Sequence, residues 1–150
     1  MSLIVLLDAG PLGLVTNPRG GPDATQCNEW MESLLSTGAH VIVPEIADYE
    51  VRRELLRANK TSGVQRLNAL KTTIDYLPLT TETMLKAAEF WAQIRQLGRP
   101  TADDKALDAD VILAAQAALM SYNGDDVIVA TTNVRHLERF VTAQKWQAIG

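Results

Sequence analysis

Four short apolar runs, each ending at a polar or acidic residue just before a helix-like segment, constrain this chain more than any other feature. Leu3-Ile-Val-Leu-Leu7 stops at Asp8-Ala-Gly-Pro11. Val41-Ile-Val43 leads into Pro44 and a helical pattern carrying Glu50. Tyr76-Leu-Pro-Leu79 is a third, weaker run, and Pro78 marks it as an edge strand. Val127-Ile-Val129 ends in Ala-Thr-Thr-Asn133. Strands this short and apolar, alternating with helical segments, predict a parallel sheet covered on both faces. In such a fold, groups at the carboxyl ends of the strands converge on one crevice.

The helical segments are expected at about residues 25–37, 45–59, 62–73, 80–97 and 108–121. Val134–Phe140 reads as a short helix and Trp146–Ile149 as a small last strand. The stretch 10–24 is rich in Gly, Pro and Asn and reads as an irregular loop. Residues 101–107 read as a polar loop closed off by Gly98-Arg-Pro100. No repeat or linker interrupts the pattern, so residues 1–150 are expected to form one domain, long enough to bury a real core.

The convergence of acids gives the chemistry. Asp8 follows the first strand directly; a turn former hydrogen-bonding its own backbone is the simpler explanation of it alone. Glu50 lies one turn after Ile46, with Ala47 and Val51 beside it on the helix wheel, and so projects toward the packed side. A buried carboxylate needs a cation or a hydrogen-bond partner, and Arg53 or Arg57 one turn on would serve. Asp108 and Asp110 open an alanine-rich helix that is apolar nearly all round. Asp108 suits a cap, while Asp110 faces the crevice. Asp103 and Asp104 are expected in solvent. Thr131-Thr-Asn133 offers hydroxyls and an amide that either orient water or a carboxylate or cap the next helix. Three carboxylates sharing a crevice repel one another unless a cation sits between them, and magnesium or manganese does so through oxygen ligands. That points to metal-assisted chemistry on phosphate.

The formal charge of −4 argues against a general nucleic-acid coat. Its distribution is uneven. Between Arg52 and Lys71 lie six basic residues (Arg52, Arg53, Arg57, Lys60, Arg66, Lys71) and one acid, Glu54. A basic shoulder beside an acidic centre suits an enzyme holding a phosphate backbone next to a metal; a solvated helical face explains it equally well. Cys27, the single cysteine, fits a reducing compartment. With no apolar stretch of membrane length and no basic, apolar leader, the cytoplasm is the expected location.

Taken together, Leu6-Leu-Asp8, Val43-Pro-Glu-Ile-Ala-Asp-Tyr-Glu50 with Arg-Arg-Glu-Leu55, Asp110-Val-Ile-Leu-Ala-Ala-Gln-Ala117 and Thr132-Asn-Val-Arg-His-Leu137 resemble a PIN domain over nearly the whole chain. This is the metal-dependent ribonuclease fold that includes the VapC toxins of bacterial toxin–antitoxin pairs. The resemblance implies an α/β/α sandwich with a five-stranded parallel sheet in the order 3-2-1-4-5. It also implies magnesium- or manganese-dependent hydrolysis of single-stranded RNA. Asp8, Glu50 and Asp110 become the metal ligands, with Thr132 and Asn133 positioning water or phosphate. Arg52, Arg53 and Lys60 are the expected RNA contacts. A small antitoxin protein and a second copy of the chain are the implied partners, and Trp91, Leu97 and Leu70 are apolar residues available to either.

Two departures stand out. Asn133 occupies a position that is often aspartate in the family, which leaves three strong anionic ligands, and His136 occupies one that is often acidic. They motivate a second reading, a catalytically weak PIN fold that binds RNA or a protein. Phosphate-transfer folds fit less well: a dehalogenase wants Asp-x-Asp after the first strand, and Gly10 stands at the second of those positions.

Overall fold

The computed structural model of the chain describes residues 3–97 and 104–150. The elements run β1 (Leu3–Leu7), α1 (Ala9–Thr16), α2 (Pro22–Ser36), β2 (His40–Pro44), α3 (Glu45–Arg57), α4 (Thr61–Thr73), β3 (Asp75–Leu77), α5 (Thr81–Gln96), α6 (Asp104–Ser121), β4 (Asp126–Thr131) and β5 (Ala143–Lys145). Short 3-10 turns lie at Val134–His136 and Trp146–Ala148. All strand pairings are parallel and the order is β3-β2-β1-β4-β5, as expected.

The strands read as continuous apolar runs because both faces are covered. Ile4, Leu6 and Ile42 point into one core with Phe90 and Ile94 of α5 and Val111, Ala114 and Ala118 of α6. Val5, Leu7, Val41 and Val43 point into the other, against Leu12 of α1, Met31 of α2, Val51 of α3 and Leu67 of α4. The result is three layers, helix on sheet on helix. Thr80 caps α5, its hydroxyl accepting from the Thr83 amide at 3.1 Å.

Four local expectations fail. The Gly/Pro-rich stretch after β1 holds a helix, α1, because Asp8 caps it and accepts from the Ala9 amide at 2.7 Å. Pro11 falls in the first turn, where its missing N–H costs nothing. Secondly, α6 starts at Asp104 rather than 108: Leu107 stands one turn before Val111 on the buried stripe, which makes helix the better use of that segment. The expected break at Gly98–Pro100 and the expected exposure of Asp103 lie outside the described residues. Thirdly, the last strand is Ala143–Lys145, and the segment around Trp146 and Ile149 is a 3-10 turn. Both side chains bury on the α2 side, Trp146 against Trp30 with ring centroids 5.6 Å apart. The Trp30 indole donates to the Ile149 carbonyl at 2.9 Å. The helix expected at Val134–Phe140 is likewise only a short 3-10 turn.

The basic shoulder is largely committed to structure. Asp48 is 4% exposed and holds Arg52 Nε and Lys71 Nζ, each at 2.9 Å, while the Tyr76 hydroxyl lies 3.3 Å away. Burial alone would raise the Asp48 pKa, but the hydrogen bonds and charges of Lys71 and Arg52 hold it below its ordinary value. Arg52, expected on the RNA path, is paired with Asp48 one turn back on its own helix, while Lys71 and Tyr76 tie that carboxylate to α4 and β3. Asp48→Ala leaves two cations facing an empty slot. Because both are partly exposed and can turn to water, we expect a loss of about 2–3 kcal/mol in a denaturant titration, at the low end of broken buried pairs.

Candidate active site

The carboxyl ends of β1 and β4 lie side by side, with Leu7 in register with Ala130, so the residues that follow them meet. The Asp8 amide continues the ladder, donating to the Ala130 carbonyl at 2.9 Å. Asp8 Oδ2 accepts from the Thr131 hydroxyl at 2.7 Å. Thr131 Oγ1 in turn accepts from the Asn133 amide at 2.9 Å, which folds the loop after β4 back toward Asp8. Gly10 lets this loop come close, since a Cβ there would stand 2.7 Å from the Thr132 side chain.

Glu50 reaches the same crevice from α3 and Asp110 from α6, where it sits in the second turn rather than the first. Their ionisation shows that they share it. Glu50 is pushed up to about 7 by burial and then by the charges of Asp8 and Asp110, with Arg53 opposing. Asp110 is pushed up to about 6 by burial; His136 lowers it and Asp8 raises it. Asp8 is raised by burial, against the lowering effect of its hydrogen bonds from Thr131 and Ala9. Glu50 and Asp110 thus carry a like-charge penalty on top of burial, from Asp8 in both cases, while burial alone raises Asp8.

The donor set fits a hard divalent ion. It comprises three oxygen-bearing side chains from three elements, and Asp110 Oδ2 is a buried atom without an aligned hydrogen bond. The His136 ring lies against that oxygen, Nδ1 at 3.0 Å. Among the described residues no three such side chains are yet drawn together at metal-ligand spacing.

The other expected site residues sort clearly. Thr132 and Asn133 are exposed at the rim. Asn133 makes no side-chain cap, and its Nδ2 lies 3.4 Å from both His136 ring nitrogens. The hydroxyl that touches a carboxylate is that of Thr131, which the sequence named only as part of its motif. His136, which stands where the resemblance often has an acid, sits against Asp110. Arg53 stacks on Tyr49, 5.1 Å from the ring centroid, near enough to Glu50 to lower its pKa. Arg57 pairs with Glu54 at 2.9 Å rather than with Glu50. Lys60 lines a cavity that opens beside Glu50. Asp108 is exposed and lies in the second turn of α6 rather than at its start; it borders an apolar groove between α5 and α6 that contains Met84 and Trp91. Of the three apolar residues set aside for partners, Trp91 and Leu97 are exposed, and Leu70 packs on the α2-side core.

An all-parallel 3-2-1-4-5 sheet between helical layers, with acids gathered at its carboxyl edge, is a PIN-like fold. No family profile matches the sequence, and no curated protein is detectably related to it. Solved structures do match. A chain from the VapBC2 complex of Rickettsia felis bound to a promoter DNA fragment superposes with a TM-score of 0.72 at 15% identity, covering 95% of this chain and 98% of that one. A chain of FitAcB from Neisseria gonorrhoeae gives 0.65 at 18% identity, with 97% and 99% covered. One from VapBC-1 of nontypeable Haemophilus influenzae gives 0.64 at 17%, with 96% and 98% covered. The likeness is one of fold across nearly the full length. Among the described residues no helix is long and apolar enough to cross a membrane.

Proposed function

We propose that this chain is a magnesium- or manganese-dependent endoribonuclease that hydrolyses single-stranded RNA, acting as the toxin of a toxin–antitoxin pair. One observation carries the reading: Glu50 and Asp110, from separate helices, and Asp8, at a strand end, each raise or share the ionisation penalty of the others in one crevice. Structural proteins rarely retain such an arrangement without a use.

A divalent ion bound there would neutralise a phosphate and acidify a water molecule. The chain's own groups do the rest. Thr131 fixes the rotamer of Asp8. Thr132 and Asn133, at the rim, lie where a phosphate or an attacking water would be held. Arg53 and Lys60 offset the negative field on the side from which a strand would enter. The solved structures that share the fold are VapBC and FitAcB assemblies, which supports a small antitoxin as partner. Such a partner is expected to place a basic side chain among the three acids. A homodimer and a cytoplasmic location complete the proposal.

The test is direct. Purified protein should cut labelled single-stranded RNA in millimolar manganese and stop when EDTA is added. The second reading, a binding module with little catalysis, draws on the absence of a closed ligand cluster among the described residues and on Asn133. RNA that is bound yet stays intact in manganese would favour it.

A further inference from the structure

We infer that the cavity beside Glu50 is a base-reading subsite, built to hold a nucleobase bearing an exocyclic amino group next to the phosphate being cut. The inference rests on the nuclease reading for the identity of the strand, and on separate residues for the preference.

The cavity measures about 340 Å³, at the lower end of small-ligand sites, which run from roughly 300 to 1,000 Å³. It opens off the acidic crevice, for Ala9 follows Asp8 directly and Glu50 lines both spaces. One wall is α1, where Gly13 leaves the space open: a Cβ at Gly13 would meet nothing within 4 Å. The opposite wall is α3, with Val51 and Leu55 supplying the apolar surface that a base face needs. The polar groups lie at the edge. Arg57 places both its Nε and Nη2 on Glu54 Oε2, at 3.0 and 2.9 Å, an exposed pair that leaves Oε1 as an acceptor at the cavity edge. Lys60 adds a cation at the rim for the sugar–phosphate chain. A carboxylate oxygen at that edge accepts from an amino group, as acidic side chains do from cytosine N4. Uracil offers no amino group, so the subsite should prefer cytosine or adenine to uracil.

The experiment uses dye-labelled single-stranded oligocytidylate, oligoadenylate and oligouridylate, with anisotropy read in EDTA and cut positions mapped in manganese. Oligocytidylate and oligoadenylate should bind the parent about tenfold more tightly than oligouridylate. Glu54→Gln should erase that preference. Gly13→Ala and Gly13→Leu should weaken binding progressively as they fill the space. The melting temperature of Gly13→Ala should not fall, because α1 gains a better helix former and the added Cβ meets nothing within 4 Å. A parent that cuts RNA with no base preference, and is indifferent to Gly13→Leu, overturns the subsite and leaves the nuclease reading standing. A parent that binds RNA with the preference but never cuts it upholds the subsite and removes the nuclease. A parent that binds no RNA overturns both. If Gly13→Leu spares RNA binding but blocks capture of a basic partner peptide, the cavity is a protein contact and the subsite is wrong.

Discussion

Asp8→Asn should lower manganese-dependent RNA cleavage at least about a hundredfold while leaving the fold intact. Asparagine is as good a helix cap as aspartate, so α1 keeps its start. Asp8 accepts two hydrogen bonds, from Ala9 and Thr131, through different oxygens. The amide retains one acceptor and turns its NH2 toward the other donor, at a cost of about 1 kcal/mol. Loss of a buried negative charge from a crowd of three offsets that cost, so the melting temperature should move little. Activity has no such compensation, since a neutral amide is a poor ligand for a hard cation and electrostatic groups at reacting centres are worth about 10²–10³ each. Rates on a labelled single-stranded RNA, beside thermal melts of both proteins, check the prediction. An asparagine variant that cuts as fast as the parent would end the proposed mechanism.

The sheet was legible because its strands are buried on both sides, and burial writes itself into sequence as unbroken apolar runs. The three acids were legible for a related reason: a carboxylate at the end of such a run has few harmless explanations. Elements whose form depends on partners distant in sequence were harder to read. Nothing within Asp8–Pro22 announces that Leu12 and Val15 will find a core, so Gly and Pro outweigh them and α1 looks like a loop. Thr131 becomes meaningful only once β4 is laid beside β1, which puts its hydroxyl on Asp8 across 123 residues. Nothing local in the sequence singles out Asp48, yet Lys71 of α4 and Tyr76 of β3 make it the anchor of that corner. The pairing of Arg52 was hidden for the same reason, since a cation looks free until its buried counter-charge is known.

The ion-free protein should lose stability as pH rises from about 4 to 7.5, and a divalent ion should abolish that loss. Both clear shifts are upward, Glu50 from 4.5 to about 7 and Asp110 from 3.8 to about 6. An acid whose folded pKa exceeds its unfolded value holds its proton more tightly in the folded state. Its contribution is therefore complete below the unfolded value and drains away as pH climbs to the folded one. At about 1.4 kcal/mol per pKa unit, and with the sum halved for solvent screening and for a repulsion counted at both partners, the loss is about 3 kcal/mol. That corresponds to a fall of roughly 6–12 °C in melting temperature for a domain of this size. Asp48 has the opposite sign, its pKa being depressed, but its contribution is lost only as pH falls below the ordinary carboxylate value, outside this window. Manganese binds the charged carboxylates, so at a hundred times its dissociation constant it should restore about 2.7 kcal/mol near pH 7.5 and little at pH 4.5. Melts at a series of pH values, with and without manganese, read both effects, and Asp110→Asn should flatten the slope. A melting temperature that rises steadily to pH 7.5 without metal would mean the three acids do not oppose one another's ionisation, and the site would lose its reason to bind a cation.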